Sequence, residues 1–521
     1  MKILFNAILF FLYLFLLCSC REKESNPNEQ LQLDSFDALK RPSYVINSRQ
    51  IRRNLHALMR GERDSLLSNH QVYSYYANKG SFLWITRHGV DERADSLLSH
   101  ITKVNEIGFS AKSFFVHQIK ADLRRLRSLN FDERRNSINL VMARLEFHLT
   151  KAYLCYAAGQ RYGFTNPYQL FNRLDPLRRD SVFVGYSRLF DIPIEQPSAT
   201  FWKDALRKIG TDSVSAFLQE VQPQNGLYRL FKKRLAKAET KQEKVKVLCN
   251  LERARWRLLD EPSMHKKYVL VNVPSFHLLA MDHKKSLSMR IGCGTFDTKT
   301  PLLTSRIMRM DINPQWIIPR SIIAKTVASH AGDAEYFARH RYYVREKKSA
   351  KRMDVATITY EMLMSGDYRV IQEGGEGNSL GRIIFRFPNN FSVFLHDTSS
   401  RNVFSKQNRD VSHGCVRIEK PFDFSVFLLE DKDDRIIEKI KYSMTADIGQ
   451  SSIGGKNGQE TQPKERIDRR KMIGSVAVKP EIPLFITYYT LYPDEHEVIK
   501  EYNDVYGFDR IIYLHLRNYL N

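Results

Sequence analysis

The chain has 521 residues, 43% of them hydrophobic, which is material for two or three packed cores and argues against global disorder. Lys+Arg exceed Asp+Glu by 81 − 58 = +23, a field that draws anionic partners such as nucleic acid, anionic lipid or acidic cell-wall polymers. No zinc-finger spacing or other nucleic-acid motif accompanies the charge, and six cysteines without a C-x-x-C spacing argue against a disulfide framework.

The first segment carries Lys2, an apolar run from Ile3 to Leu17 and then Cys18-Ser19-Cys20. The run is short for a membrane span, which needs about 20 residues, and has the layout of a secretory signal. Leu17-Cys18-Ser19-Cys20 resembles a bacterial lipobox, which makes 1–19 a lipoprotein signal peptide and Cys20 the lipidated residue. Acyl chains there would hold the protein at a membrane surface, the outer membrane ahead of the inner, with its working part in the periplasm. An exported chain rarely meets nucleic acid, so the basic charge points to the envelope. Residues 20–41 are polar and read as a flexible tether.

From 42 to 262 the pattern is helical. Ile138, Val141, Met142, Leu145, Leu149, Ala152, Tyr153 and Tyr156 recur at helical steps and mark one face of a long helix, with Asn130 and Asp132 as candidate caps. Residues 168–239 read as irregular, proline-interrupted helices. Near Tyr268 the period changes to two. Short β-rich runs at 268–273, 276–281, 287–292, 305–312, 382–387, 391–395 and 482–492 predict a sandwich or barrel-like sheet over 263–521. Residues 319–381 read as a lid-like insertion, 421–430 as a helix and 445–466 as a disordered loop. The fold class is therefore α+β, an all-helical domain followed by a mostly β domain.

The chemistry concentrates in Ser412-His413-Gly414-Cys415-Val416-Arg417, with His396 nineteen residues before Cys415. A thiol beside a base is the usual form of an activated nucleophile, and Gly414 allows a backbone turn that aims amides at an oxyanion.

These residues closely resemble the signature of the L,D-transpeptidases, whose catalytic domain is the YkuD-like β-fold. Val271-Asn272-Val273-Pro274-Ser275-Phe276, Lys299-Thr300-Pro301, Asn313-Pro314-Gln315-Trp316-Ile317-Ile318-Pro319, Asn378-Ser379-Leu380-Gly381-Arg382 and Asp504-Val505-Tyr506-Gly507-Phe508-Asp509 look like landmarks of its large, scaffold-bearing Gram-negative branch. Phe82-Leu83-Trp84 and Asn250-Leu251-Glu252-Arg253-Ala254-Arg255-Trp256 look like that branch's scaffold domain. The branch's small peptidoglycan-binding module is not recognisable between 168 and 239.

The resemblance implies a two-step acyl transfer on peptidoglycan stem peptides that needs no cofactor or metal. Cys415 is the implied nucleophile, His396 the general base and acid, His413 an orienting residue, and the Gly414 and Cys415 amides the oxyanion donors. Arg417, Ser412, Asp397, Trp316 and Phe394 fall where substrate contacts are expected, with Asp397 helping to set the His396 tautomer; Arg417 serves equally as a brace of the turn, and Trp316 and Phe394 are more simply buried aromatics of a β-core. The expected product is a 3→3 cross-link, with D-alanine released from a tetrapeptide donor, and a carbapenem should acylate the thiol. An L,D-carboxypeptidase that uses water, or a zinc module built on His396, His413 and Cys415, are the alternative readings. The sequence leaves the oligomeric state open.

Overall fold

The computed structural model describes residues 32–34, 44–61, 67–179, 182–446, 448, 467–494, 496 and 498–520. The signal peptide, Cys20, nearly all of the tether and all but the edges of the 445–466 loop lie outside them. Among the described residues no helix is long and apolar enough to cross a membrane.

Two compact units are present. One holds the residues up to 164, 196–238 and those from 516 onward; the other holds 165–195 and 239–515. A single boundary at 262 does not describe this division, because the chain changes unit at 165, 196, 239 and 516. Residues 250–256, expected in the scaffold, lie in the strand-rich unit.

The first unit is built around the helix Ile138–Tyr162, against which the helices Ser48–Gly61, Leu67–Ala77, Arg93–Ile101 and Val116–Arg127 pack. It is buried on nearly every side rather than on the one face its spacing suggests. A helix surrounded by others needs apolar or satisfied residues all round. Asp132 does not cap this helix. Its Oδ1 accepts from the amides of Arg134, Arg135 and Asn136 in the preceding turn, and Ser137 takes the N-cap position. The Asn136 side chain, which donates to the other carboxylate oxygen at 2.6 Å, and then these backbone amides favour the charged form and hold the Asp132 carboxyl well below the ordinary range.

Glu146, wholly buried on the long helix, accepts from the amides of Leu83 (2.6 Å), Trp84 (3.0 Å) and Ile85 (3.2 Å) and from the Tyr76 hydroxyl (2.5 Å). Leu83 and Trp84 of the Phe82-Leu83-Trp84 run, with Ile85 after it, thus clamp a buried carboxylate.

The strand-rich unit contains β1 (Lys267–Asn272), β2 (His277–Asp282), β3 (Lys285–Gly294), β4 (Leu302–Ile312), β5 (Ile383–Arg386), β6 (Leu395–His396), β7 (Val416–Ile418) and β8 (Ser475–Thr487). Their order is β5-β6-β7-β3-β2-β1-β8-β4, and β4 pairs back with β5, so the sheet closes into a barrel. Only β6–β7 and β8–β1 are parallel among these neighbours. The short strand Phe190–Asp191 extends β4, which brings residues 165–195 into this unit. Residues 168–239 also hold a hairpin, Pro176–Arg179 with Val182–Tyr186, where only helices were expected.

The 391–395 run forms a strand only at its end. The Asn389 side chain bonds the backbone of Phe387, Phe391 and Val393, and Ser392 has φ +55°, so a turn displaces the extended conformation. The insertion is not a loose excursion. Trp316–Ile317, Tyr342–Glu346 and Tyr368–Gln372 form a three-stranded sheet, and Ile323, Val327, Phe337, Val344, Leu363 and Val370 give it a core. The end of the chain adds a helix, Phe508–Leu516.

Candidate active site

β6 and β7 place the two central residues. They are parallel neighbours, with Leu395 opposite Val416 and His396 opposite Arg417, and the Val416 amide donates to the Phe394 carbonyl at 2.9 Å. Cys415 immediately precedes β7, so it lies next to the strand that carries His396.

The turn between them is held by side chains. Ser412 Oγ accepts from the Gly414 amide at 3.1 Å and donates to the Cys415 carbonyl at 2.6 Å. Thr298 Oγ1 donates to the Ser412 carbonyl at 2.9 Å, and Thr300 Oγ1 donates to the Gly414 carbonyl at 2.9 Å. Gly414 has φ +112°, a conformation open to glycine, although an added Cβ would meet nothing nearer than 3.5 Å. Conformation rather than space requires the glycine. Its amide is engaged by Ser412, so it is not free for an oxyanion as expected. The Cys415 and His413 amides have no acceptor among the described residues.

His396 is buried, and its Nδ1 donates to the Asp397 carbonyl. A carbonyl only accepts, so Nδ1 carries the proton and Nε2 is the basic atom. Burial, reinforced by the Arg417 charge, lowers its pKa to about 4 against the opposing backbone of Asp397 and Leu380. Burial likewise raises the Cys415 thiol, while the Phe394 backbone and Arg417 pull it down. Burial thus favours the uncharged form of both groups, a thiol and a neutral imidazole.

Arg417 lies beside both groups. Its Nε is buried and unpaired, and its guanidinium makes no hydrogen bond with the described residues. Asp397 acts on His396 through its carbonyl alone; its carboxylate accepts instead from the Arg382 amide (2.8 Å) and Arg401 (3.1 Å). His413 is exposed and makes no hydrogen bond within the described residues; the bonds that hold the turn come from Ser412 and the two threonines. Phe394 is half-buried under the Arg386 guanidinium, and Trp316 packs on the insertion core.

Sequence reasoning missed Asn378 as a support of the base. Its Nδ2 donates to the Glu373 and Pro314 carbonyls, and its Oδ1 accepts from the amide of Leu380, whose backbone meets His396. Thr298 and Thr300 were missed as well, and the only signal was that they flank or belong to quoted landmark runs. No three His, Cys, Asp or Glu side chains among the described residues are grouped to hold a metal, so the zinc alternative has no ligand set.

Comparison with known proteins agrees with this geometry. Residues 266–435 match the L,D-transpeptidase catalytic domain (YkuD), and residues 70–235 match the Scaffold domain. A protein of Haemophilus influenzae named "Putative L,D-transpeptidase" is 26% identical over 323 residues, 61% of this chain and 60% of that relative. The landmark run 504–509 lies beyond the matched catalytic domain.

Proposed function

Because the chain carries a YkuD L,D-transpeptidase catalytic domain together with a Scaffold domain, we propose that it is a cell-envelope acyltransferase forming 3→3 cross-links in peptidoglycan. The observation that carries this reading is the pairing of β6 with β7. That pairing brings His396 and the residue just before β7, Cys415, to neighbouring strands, and the bond from His396 Nδ1 to the Asp397 carbonyl supports a tautomer with Nε2 as the basic atom.

In the first step the Cys415 sulfur attacks the carbonyl of the third residue of a donor tetrapeptide stem while His396 Nε2 takes the thiol proton. The C–N bond to the terminal D-alanine breaks, the departing nitrogen receives that proton, and a thioester remains. In the second step a side-chain amine of a neighbouring stem attacks the thioester, gives its proton to His396 and releases the thiol. A general base of this kind contributes about 10²–10⁴-fold. The Cys415 amide is the available oxyanion donor, of a type worth roughly 2.7–4 kcal/mol in a protease where one was removed. Arg417, whose Nε has no partner among the described residues, suits a stem carboxylate. The N-terminal Cys20 would anchor the enzyme by lipid at the membrane facing this polymer.

Incubation with disaccharide tetrapeptide, followed by product masses, tests the reading. A dimer that has lost one D-alanine supports it. Trimmed monomer alone would make the protein an L,D-carboxypeptidase, and unchanged substrate would refute acyl transfer on this donor.

A further inference from the structure

The hydrogen bond from Thr300 to Gly414 bears on a different atom from the one it touches. The Gly414 carbonyl and the Cys415 N–H belong to one planar trans peptide, so they point in opposite directions. Whatever fixes that carbonyl also aims that N–H. Thr300 Oγ1 accepts from the Gly294 amide at 2.9 Å, which leaves its single proton for the Gly414 carbonyl at 2.9 Å. Donation to a carbonyl also polarises the N–H of the same peptide toward a stronger donor.

Thr300 is itself fixed from below. The Tyr506 hydroxyl accepts from the Thr300 amide at 3.1 Å and donates to the Gly294 carbonyl at 2.8 Å. The Tyr506 amide donates to the Tyr488 hydroxyl at 2.7 Å, which donates to Asp504 at 2.7 Å. Tyr506 is 1% exposed. Gly294 permits the closeness of the loop, since a Cβ there would lie 2.0 Å from the Thr298 carbonyl oxygen. A chain of satisfied buried groups thus runs from the 504–509 segment, outside the matched catalytic domain, to the peptide plane that ends in the nucleophile.

We propose that Thr300, held by Tyr506, is the positioning residue that aims the Cys415 N–H at the acyl oxygen. This rests on the acyl-transfer reading above. Neither residue touches the thiol proton or the base. Their loss should impair steps that pass through an oxyanion and spare those that do not.

The test compares two reactions of the same thiol in the full chain. A carbapenem acylates Cys415 through an oxyanion: the S–C bond forms, the ring C–N bond breaks and the ring nitrogen takes a proton. Iodoacetamide alkylates it by displacement of iodide, with no oxyanion. Thr300→Val should slow acylation by about 10–100-fold, and Tyr506→Phe by about 3–10-fold. Alkylation rates and their pH profiles should stay at wild-type values. Thr300→Ser, which keeps the hydroxyl, should acylate within about 3-fold of wild type.

Equal loss of acylation and alkylation would overturn the inference, since the residues would then serve the thiol or the fold. Wild-type acylation in Thr300→Val or Tyr506→Phe would overturn it too. If Thr300→Val does not fold, Tyr506→Phe and Thr300→Ser decide the question alone. A wild-type thiol that alkylates but is never acylated would remove the proposed function and this inference together, whereas acylation unaffected by the variants removes only the inference.

Discussion

Two charges in this chain, the fully buried Glu146 and the half-buried Arg417, are treated in opposite ways. Glu146 in the helical unit has four donors on its two carboxylate oxygens, three of them backbone amides of one short run. Burial still raises its pKa, with those bonds opposing. Arg417 in the barrel has none within the described residues; burial lowers its pKa, and the thiol of Cys415 is the one group that opposes the shift. An unsatisfied buried polar group costs about 1–3 kcal/mol, more when charged. The helical unit therefore uses a saturated charge to lock a clamp, while the barrel tolerates an unsaturated one beside its nucleophile. A charge left wanting in the free protein is one that a ligand can satisfy.

The largest test of that contrast is chemical. Cys415→Ala should reduce cross-link formation to background, and His396→Ala should slow acylation by about 10²–10⁴-fold, both read by product masses; His413→Ala should cost far less. If His413→Ala proves the more severe, the base has been misassigned.

Glu146→Ala should lower unfolding free energy by about 3–5 kcal/mol in urea titrations, because the clamp's amides and Tyr76 lose their acceptor. A pH series separates the units further. Burial holds both His148 in the helical unit and His396 in the barrel near about 4. Between about 6.5 and about 4 the unfolded chain binds the proton and the folded one does not, so stability is lost as pH falls through that window. Each histidine should account for about 2 kcal/mol between pH 7 and pH 5, and His148→Phe should remove its share of the slope.

The smallest expected effect is the most pointed. Arg417→Met should leave stability unchanged or raise it by up to about 2 kcal/mol while slowing acyl transfer. Destabilisation as large as that of Glu146→Ala would erase the contrast.

Much of this arrangement is legible in the sequence because its signals are local. The Ser412–Arg417 run and His396 declare a thiol and a base, and the period-two runs declare strands. Barrel closure is not legible, since β4 and β5 are separated by the whole insertion and their pairing is decided by tertiary geometry. Nor is the fate of the Gly414 amide, which depends on the Ser412 rotamer two residues away. The order within the insertion is not legible either, because its glycines stand out while its apolar residues are spread over three short strands and small helices that only packing brings together. Asn389 turned a β-rich run into a turn through its side chain, which periodicity does not register.

The parallel pairing of β1 with β8 has a temporal consequence. Lys267–Asn272 is made some two hundred residues before Ser475–Thr487 arrives to lie beside it, and contacts of such separation form slowly. Tyr506 comes later still. A chain that stopped before residue 475 would carry Cys415, His396 and the Ser412, Thr298 and Thr300 hydroxyls of the turn, yet lack β8 and the Tyr506 hydroxyl that holds Thr300. The residues around the thiol are thus encoded well before two of the elements that support them, the strand at 475–487 and the Tyr506 hydroxyl beneath Thr300.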